Sequence, residues 1–293
     1  MYNAAVMAAA HPTVAGFFHA PTGTVSYVVS DPAANRAAVI DSVLDFDQAS
    51  GRTSTKSADA VALYVEGQKL TVDWILETHA HADHLSAAQT LRRRLGGTIA
   101  IGEHIAEVQR TFAALYGIPQ PSPQIFDRRF ADGERFKIGG IEAEVMHTPG
   151  HTPACVSYRV GDALFCGDTL FMPDYGTARC DFPGGSAETL YRSIQRLLAL
   201  PPETRVFVNH VYPPEGQKPE WQASVAEHRA GNKHVRDGIG EAEFAKMRRA
   251  RDVTLAMPQL LWPSIQVNIR AGKFPPAEVD GVHYLKVPIR LAS

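Results

Sequence analysis

Residues 79–84 read His79-Ala80-His81-Ala82-Asp83-His84 and place four candidate metal ligands within six positions. The run before them, Val72–Leu76, is mostly apolar and predicts a buried strand ending at Thr78. After them, Leu85, Ala88, Leu91 and Leu95 fall at helical intervals and predict a helix over Leu85–Leu95. The motif therefore sits on a loop leaving the carboxyl end of a strand, where α/β proteins place their sites. His79 and His81 are two residues apart, so in extended chain both point the same way. Asp83 and His84 follow at the helix start and can aim back at the same point. Imidazole and carboxylate together suit zinc, iron or manganese.

Outward from this motif, strands alternate with helices. Val25–Val29 and Ala37–Ile40 read as strands, Ala58–Leu70 as an amphipathic helix, Thr98–Ile101 as a strand and Ile105–Leu115 as a helix closed by Gly117 and Pro119. Gly139-Gly140 centres a hairpin over Phe136–Val145, and Gly161-Asp162 joins Cys155–Val160 to Ala163–Cys166. Ala187–Leu200 is a helix with Leu190, Ile194, Leu197 and Leu198 on one face, stopped by Pro201-Pro202. Arg205–Val208 is a strand. Beyond Pro219 the pattern is helical to about Ala271, and the chain ends in the short run Tyr284–Ile289. This alternation predicts a layered α/β fold, and we read residues 1–293 as one domain.

Composition narrows the function classes. A 45% hydrophobic fraction with 20% charged residues supports a sizeable core and excludes disorder. The formal net charge of -2 gives no basic excess for nucleic acid or an anionic membrane. The short run Arg92-Arg93-Arg94 reads as a solvated helix face. Three cysteines, Cys155, Cys166 and Cys180, form no C-x-x-C pair and no disulfide framework. The opening MYNAAVMAAAHPTV lacks a basic n-region and a long apolar core, and no segment has the apolar length of a membrane span. The expectation is a soluble, cytoplasmic protein.

Three further motifs follow other strands. His147-Thr148-Pro149-Gly150-His151-Thr152-Pro153 presents His151 from a tight Pro-Gly corner. His147 reads mainly as a satisfied buried histidine. Gly167-Asp168-Thr169 follows Ala163–Cys166 and offers a carboxylate. Asn209-His210-Val211-Tyr212 follows Arg205–Val208, and His210 is either a further ligand or a donor to one.

H-x-H-x-D-H, then P-G-H-T, then G-D, then a last histidine, in that order, resembles the metallo-β-lactamase superfamily. The resemblance implies an αββα sandwich with a metal site along one edge. The stretch Thr169-Leu170-Phe171, Tyr175 to Phe182 and Pro183-Gly184-Gly185, with Asn268-Ile269-Arg270-Ala271-Gly272 and Tyr284–Pro288, is similar to the persulfide dioxygenases and the bacterial β-lactamase-like hydrolase group. The likeness runs from about residue 12 to 290. It implies one Fe(II) per chain, held by His79, His151 and Asp168. Two histidines and a carboxylate form a facial triad that leaves positions open on iron. Zinc lacks the redox chemistry that persulfide oxidation needs. The implied activity is glutathione persulfide dioxygenase, with a small-molecule thiol persulfide and O₂ as reactants, and a homodimer is implied as well.

In that reading His81, Asp83, His84 and His210 orient the ligands from behind; in a zinc reading they form a second metal position. Arg179 and Asp181 match the group's R-x-D stretch, and Arg179 offers a fork either for a substrate carboxylate or for Asp181. Tyr212 matches a tyrosine of the group and is implied to reach the metal's other ligands through its hydroxyl; it and Arg179 are the catalytic candidates, and with Asp181 the substrate-binding ones. Two departures stand out. Val211 replaces the usual aspartate after the last histidine, and Ala154 replaces a glycine after H-T-P. Cys180 is either a redox-sensitive thiol or a plain buried cysteine. Two rivals remain: a dinuclear zinc hydrolase of thioesters or amides, of the glyoxalase II or β-lactamase kind, and a non-catalytic thiol or sulfide sensor, favoured only by Val211.

Overall fold

A computed structural model describes residues 11–289 and Leu291. Residues 1–10, which carry most of the amino-terminal stretch read above for a leader, lie outside the described residues. The first half runs β1 (Thr13–His19), β2 (Thr24–Asp31), β3 (Arg36–Ile40), β4 (Val43–Asp47), β5 (Arg52–Ser54), α1 (Lys56–Gly67), β6 (Thr71–Leu76), β7 (Leu85–Ser86), α2 (Ala88–Leu95), β8 (Thr98–Gly102), α3 (Ile105–Tyr116) and β9 (Arg128–Phe130). The second runs β10 (Arg135–Ile138), β11 (Ile141–His147), β12 (Val156–Val160), β13 (Ala163–Phe165), α4 (Ala187–Leu198), β14 (Arg205–Phe207), β15 (Gln222–Ser224), α5 (Val225–Gly231), α6 (Glu241–Asp252) and α7 (Leu261–Asn268).

Strand periodicity builds the layers. On β2, Val25, Tyr27 and Val29 enter one apolar cluster and Val28 the other. On β3, Ala38 and Ile40 go one way, Ala37 and Val39 the other. Successive side chains point to opposite faces of a strand, so a strand apolar throughout is covered on both sides. The sheet β1-β2-β3-β6-β8-β9 thus packs one face on the sheet β10-β11-β12-β13-β14-β15. Its other face carries α1, α2 and α3 through Ala58, Val61, Val65, Leu91, Ile105 and Phe112. Beyond the second sheet lie Leu190, Ile194 and Leu197 of α4 with Phe244 of α6. Each such side chain, fully buried, contributes about 1.5–3 kcal/mol relative to exposure. This is the αββα sandwich expected from the motif order.

Local signals set the helix ends. Ser186 accepts a hydrogen bond from Thr189 N and starts α4. Ser224 and Glu227 form a reciprocal capping box at α5. Gly117 ends α3 in the left-handed region, φ 59°.

Two readings shift. The helix expected from Leu85 begins at Ala88, because Leu85 and Ser86 pair with Leu44 and Val43 as a short strand. The segment beyond Pro219 is not one helical run. It holds β15, whose Ala223 pairs with Val206, and three separate helices. Tyr284–Ile289 forms no regular element. No helix among the described residues is long and apolar enough to cross a membrane.

The topology explains where the site lies. β3, β6 and β8 are mutually parallel neighbours, so their carboxyl ends share one edge. β11 and β13 each pair antiparallel with β12, and β14 runs parallel to β13, so these three also end together. Residues following β3, β6, β11, β13 and β14 therefore converge along one edge of the sandwich.

Candidate metal centre

His79, His151 and Asp168 each offer a ligand atom, and these atoms lie within 4.8 Å of one another. His79 Nε2 is 3.9 Å and His151 Nε2 3.7 Å from Asp168 Oδ2. Both separations are under twice a metal–ligand bond of about 2.0–2.2 Å, so one ion can span each pair. His79 is 1% exposed, His151 4% and Asp168 8%, yet among the described residues His79 Nε2 and Asp168 Oδ1 have no hydrogen-bond partner. Each such buried orphan costs about 1–3 kcal/mol, a debt that a cation at this point removes.

Hydrogen bonds behind the ligands choose their tautomers. Thr78 Oγ1 donates to Asp41 Oδ2 at 2.8 Å, so it can only accept from His79 Nδ1 at 3.0 Å. His151 Nδ1 donates to the Arg179 carbonyl at 2.7 Å. Both imidazoles thus carry their proton on Nδ1 and turn the Nε2 lone pair toward Asp168, as a metal ligand must. Burial lowers the pKa of both rings, for His79 far below the usual histidine value, reinforced by His81 and His151. Neutral imidazoles are the binding form.

Two glycines allow this close approach. A Cβ on Gly167, φ +51°, would stand 2.5 Å from Thr78 Oγ1. One on Gly150, φ +141°, would stand 2.3 Å from Leu190 Cα. Larger residues would push Asp168 and His151 off the shared point.

The remaining motif residues gather alongside. His81 Nε2 donates to Asp41 Oδ1 at 2.9 Å and lies 3.5 Å from Glu77 Oε2. Burial pulls the His81 pKa down, but Asp41 and Glu77 outweigh it and raise it well above the usual value. His84 Nδ1 meets Asp83 Oδ2 at 3.1 Å, while its Nε2 has no partner among the described residues. His210 Nε2 stands 3.5 Å from Asp83 Oδ2 and 3.4 Å from Asp168 Oδ1. Burial would raise the Asp83 carboxyl; His210 and His84 outweigh it and hold it well below the usual range. His81, Asp83 and His84 form a second compact group of ligand atoms. Val211 is buried in the core cluster, and His210 Nδ1 has no partner among the described residues.

His147 stands apart. Its Nε2 meets the Pro153 carbonyl at 2.9 Å, and its ring stacks on His104 at 4.2 Å. The Arg179 guanidinium is held by both Asp181 oxygens, at 2.6 and 2.7 Å, and by the Ala256 carbonyl at 2.6 Å. Tyr212 is half exposed, its ring parallel to His210 at 6.1 Å. Ala154 is buried in the core. Burial pushes the Cys155, Cys166 and Cys180 thiols up to about 12, so none is a thiolate near neutral pH. A cavity of about 1480 Å³ opens over the centre, lined by His84, His151, Asp168, Phe171, Tyr212 and Arg251 among others.

The motif reading missed Asp41, Glu77, Thr24 and the task of Asn268. Asp41 and Glu77 are carboxylates just past the ends of β3 and β6, which is the available signal. Asp41 also carries φ 51°, unusual for a residue with a side chain. Thr24 Oγ1 donates to Asp83 Oδ2 at 3.0 Å. Asn268 pins the whole H-x-H-x-D-H loop: its amide donates to the His81 and His84 carbonyls and accepts from Ser86 N, each at 2.8 Å.

The family model of the metallo-beta-lactamase superfamily matches residues 19–210, the span that holds every ligand candidate above. The chain belongs to the metallo-β-lactamase superfamily. Over 280 residues it is 50% identical to a beta-lactamase hydrolase-like protein of Xylella fastidiosa, covering 95% of this chain and 65% of that protein. It thus spans about two thirds of that relative's length. It is 27% identical over 252 residues to the mitochondrial persulfide dioxygenase ETHE1 of Homo sapiens, covering 85% of this chain and 84% of that protein. The crystal structure of ETHE1 from Myxococcus xanthus superposes with a TM-score of 0.73 at 28% identity, over 89% of this chain and 100% of that one. Metallo-β-lactamase superfamily proteins are metal-dependent, and His79, His151 and Asp168 are this chain's candidate ligands.

Proposed function

We propose that this protein is a glutathione persulfide dioxygenase with one Fe(II) per chain. The reaction is RSSH + O₂ + H₂O → RSH + SO₃²⁻ + 2H⁺, in which the outer sulfur is oxidised and dioxygen reduced. The observation that carries the reading is the group of two neutral histidines and one carboxylate, His79, His151 and Asp168, facing a cavity. A ferrous ion on this triad supplies the redox chemistry that zinc lacks. The likeness to a named persulfide dioxygenase supports the same reading.

The chain's own residues do the rest. Asp41, through Thr78, and the Arg179 carbonyl hold the two imidazoles in their binding tautomers. The Arg179 guanidinium is engaged by Asp181, so both act by shaping the Arg179 carbonyl rather than by gripping substrate. Arg251 lines the cavity, where its guanidinium suits a carboxylate of the thiol carrier. The Tyr212 hydroxyl is offered as a donor at the cavity wall.

A second reading has a specific observation behind it. His81, Asp83 and His84 form a second compact group of ligand atoms, and His210 Nε2 stands between Asp83 and Asp168 at 3.5 and 3.4 Å, which suits a second ion of the kind a dinuclear zinc hydrolase of thioesters uses. Metal analysis of protein produced without added metals, alongside O₂ uptake with glutathione persulfide, separates the two. About one iron per chain with stoichiometric sulfite supports the dioxygenase. Two zincs with no uptake by iron-loaded protein rejects it.

A further inference from the structure

Arg248 is the largest fully buried side chain among the described residues, 1% exposed, and Asp252, one helical turn on along α6, is 2% exposed. Arg248 Nε donates to Asp252 Oδ1 at 2.7 Å. Neither residue belongs to the motifs that give the ligands. A buried ion pair carries a large desolvation cost and is weak evidence for stability alone, so its reach into neighbouring backbone is informative. Arg248 Nη1 donates to the Thr177 carbonyl at 3.1 Å. Asp252 Oδ2 accepts from Cys180 N at 3.0 Å and from Cys180 Sγ at 3.3 Å. The pair therefore grips the backbone on both sides of Ala178-Arg179. From the opposite side, His234 Nδ1 accepts from Thr177 N at 3.1 Å, and Asn232 Nδ2 donates to the Gly176 carbonyl at 3.1 Å. Between these anchors projects the Arg179 carbonyl, the acceptor for His151 Nδ1.

We propose that the Arg248–Asp252 pair is a positioning device for His151. By tethering Thr177 and Cys180 it fixes the Arg179 carbonyl, and that carbonyl keeps the His151 proton on Nδ1 and the Nε2 lone pair on the metal side. Partners behind a metal-bound histidine set ring orientation and basicity, and losing one typically lowers metal affinity 10–100-fold. The inference holds whichever metal and reaction the centre uses, so its failure is separate from failure of the dioxygenase reading.

The test uses the double substitution Arg248→Met with Asp252→Asn, which leaves no unpaired buried charge and keeps an acceptor for Cys180 N. Metal-free protein labelled with ¹⁵N-histidine reports the His151 tautomer by long-range ¹H–¹⁵N correlation, and Co(II) affinity is read by chelator competition. The wild type is expected to show one Nδ1–H tautomer. The double variant is expected to show a tautomer mixture and Co(II) binding weaker by about tenfold or more. Arg248→Lys keeps the charge opposite Asp252 but not the fork to Thr177, and is expected to show a smaller loss of the same kind. A folded double variant with the wild-type tautomer and affinity overturns the proposal. Should the double variant not fold, wild-type tautomer and affinity in Arg248→Lys overturn it equally.

Discussion

Asp41→Asn tests the relay that prepares His79. The Asp41 carboxylate is 1% exposed and accepts from Thr78 N at 2.7 Å, Thr78 Oγ1 at 2.8 Å and His81 Nε2 at 2.9 Å. An amide keeps one oxygen, which can still serve Thr78 N and His81. Its NH₂ group now faces the Thr78 hydroxyl, which must turn round and become the acceptor. The turned hydroxyl then donates to His79 Nδ1, which drives the His79 proton onto Nε2, the atom that must bind metal. Two effects follow. Stability of the metal-free protein falls by about 2–4 kcal/mol, because one bond to a charged acceptor is lost and the His81 bond is weakened. Metal affinity falls about 10–100-fold, which is about 1.4–2.8 kcal/mol. Urea unfolding of the metal-free protein gives the first quantity and chelator competition the second. A variant that loses stability but binds metal within twofold of wild type refutes the relay: Asp41 would then be a structural carboxylate, and Thr78 would not select the His79 tautomer.

Asn268→Ala strands the His81 and His84 carbonyls and Ser86 N, and should cost about 3–5 kcal/mol in urea unfolding; a loss under 1 kcal/mol contradicts the pinning role. His228 and His234 are buried, and burial lowers each pKa from 6.5 to about 4. The unfolded chain then binds protons that the folded chain refuses, so stability falls as pH drops from about 6.5 to 4, by roughly 3 kcal/mol per histidine. Equilibrium unfolding across that range checks it: His228→Gln should flatten the slope, and an unchanged slope speaks against this source of acid lability. Arg251→Ala should raise KM for glutathione persulfide about tenfold with kcat nearly unchanged, since its role is carrier binding; a fall in kcat at constant KM argues against that role.

The chain by itself determined the fold and which residue types stand at the centre. Each ligand motif directly follows a strand, and strand ends are legible because short apolar runs stop where polar, Gly and Pro residues begin. What the sequence left open is set by distant partners. Whether Leu85 and Ser86 are helix or strand depends on pairing with Val43 and Leu44, which no local propensity encodes. The sequence leaves open what the Arg179 guanidinium meets, and the fold sets it against Asp181 and the Ala256 carbonyl. Asp41, 38 residues before His79, gave no signal of its own beyond standing after a strand, yet the fold sets its carboxylate against Thr78 and His81. Residue type is a local property of the chain, whereas the proton position on an imidazole depends on which acceptor folding brings to its other nitrogen, and here those acceptors arrive from separate strands and loops.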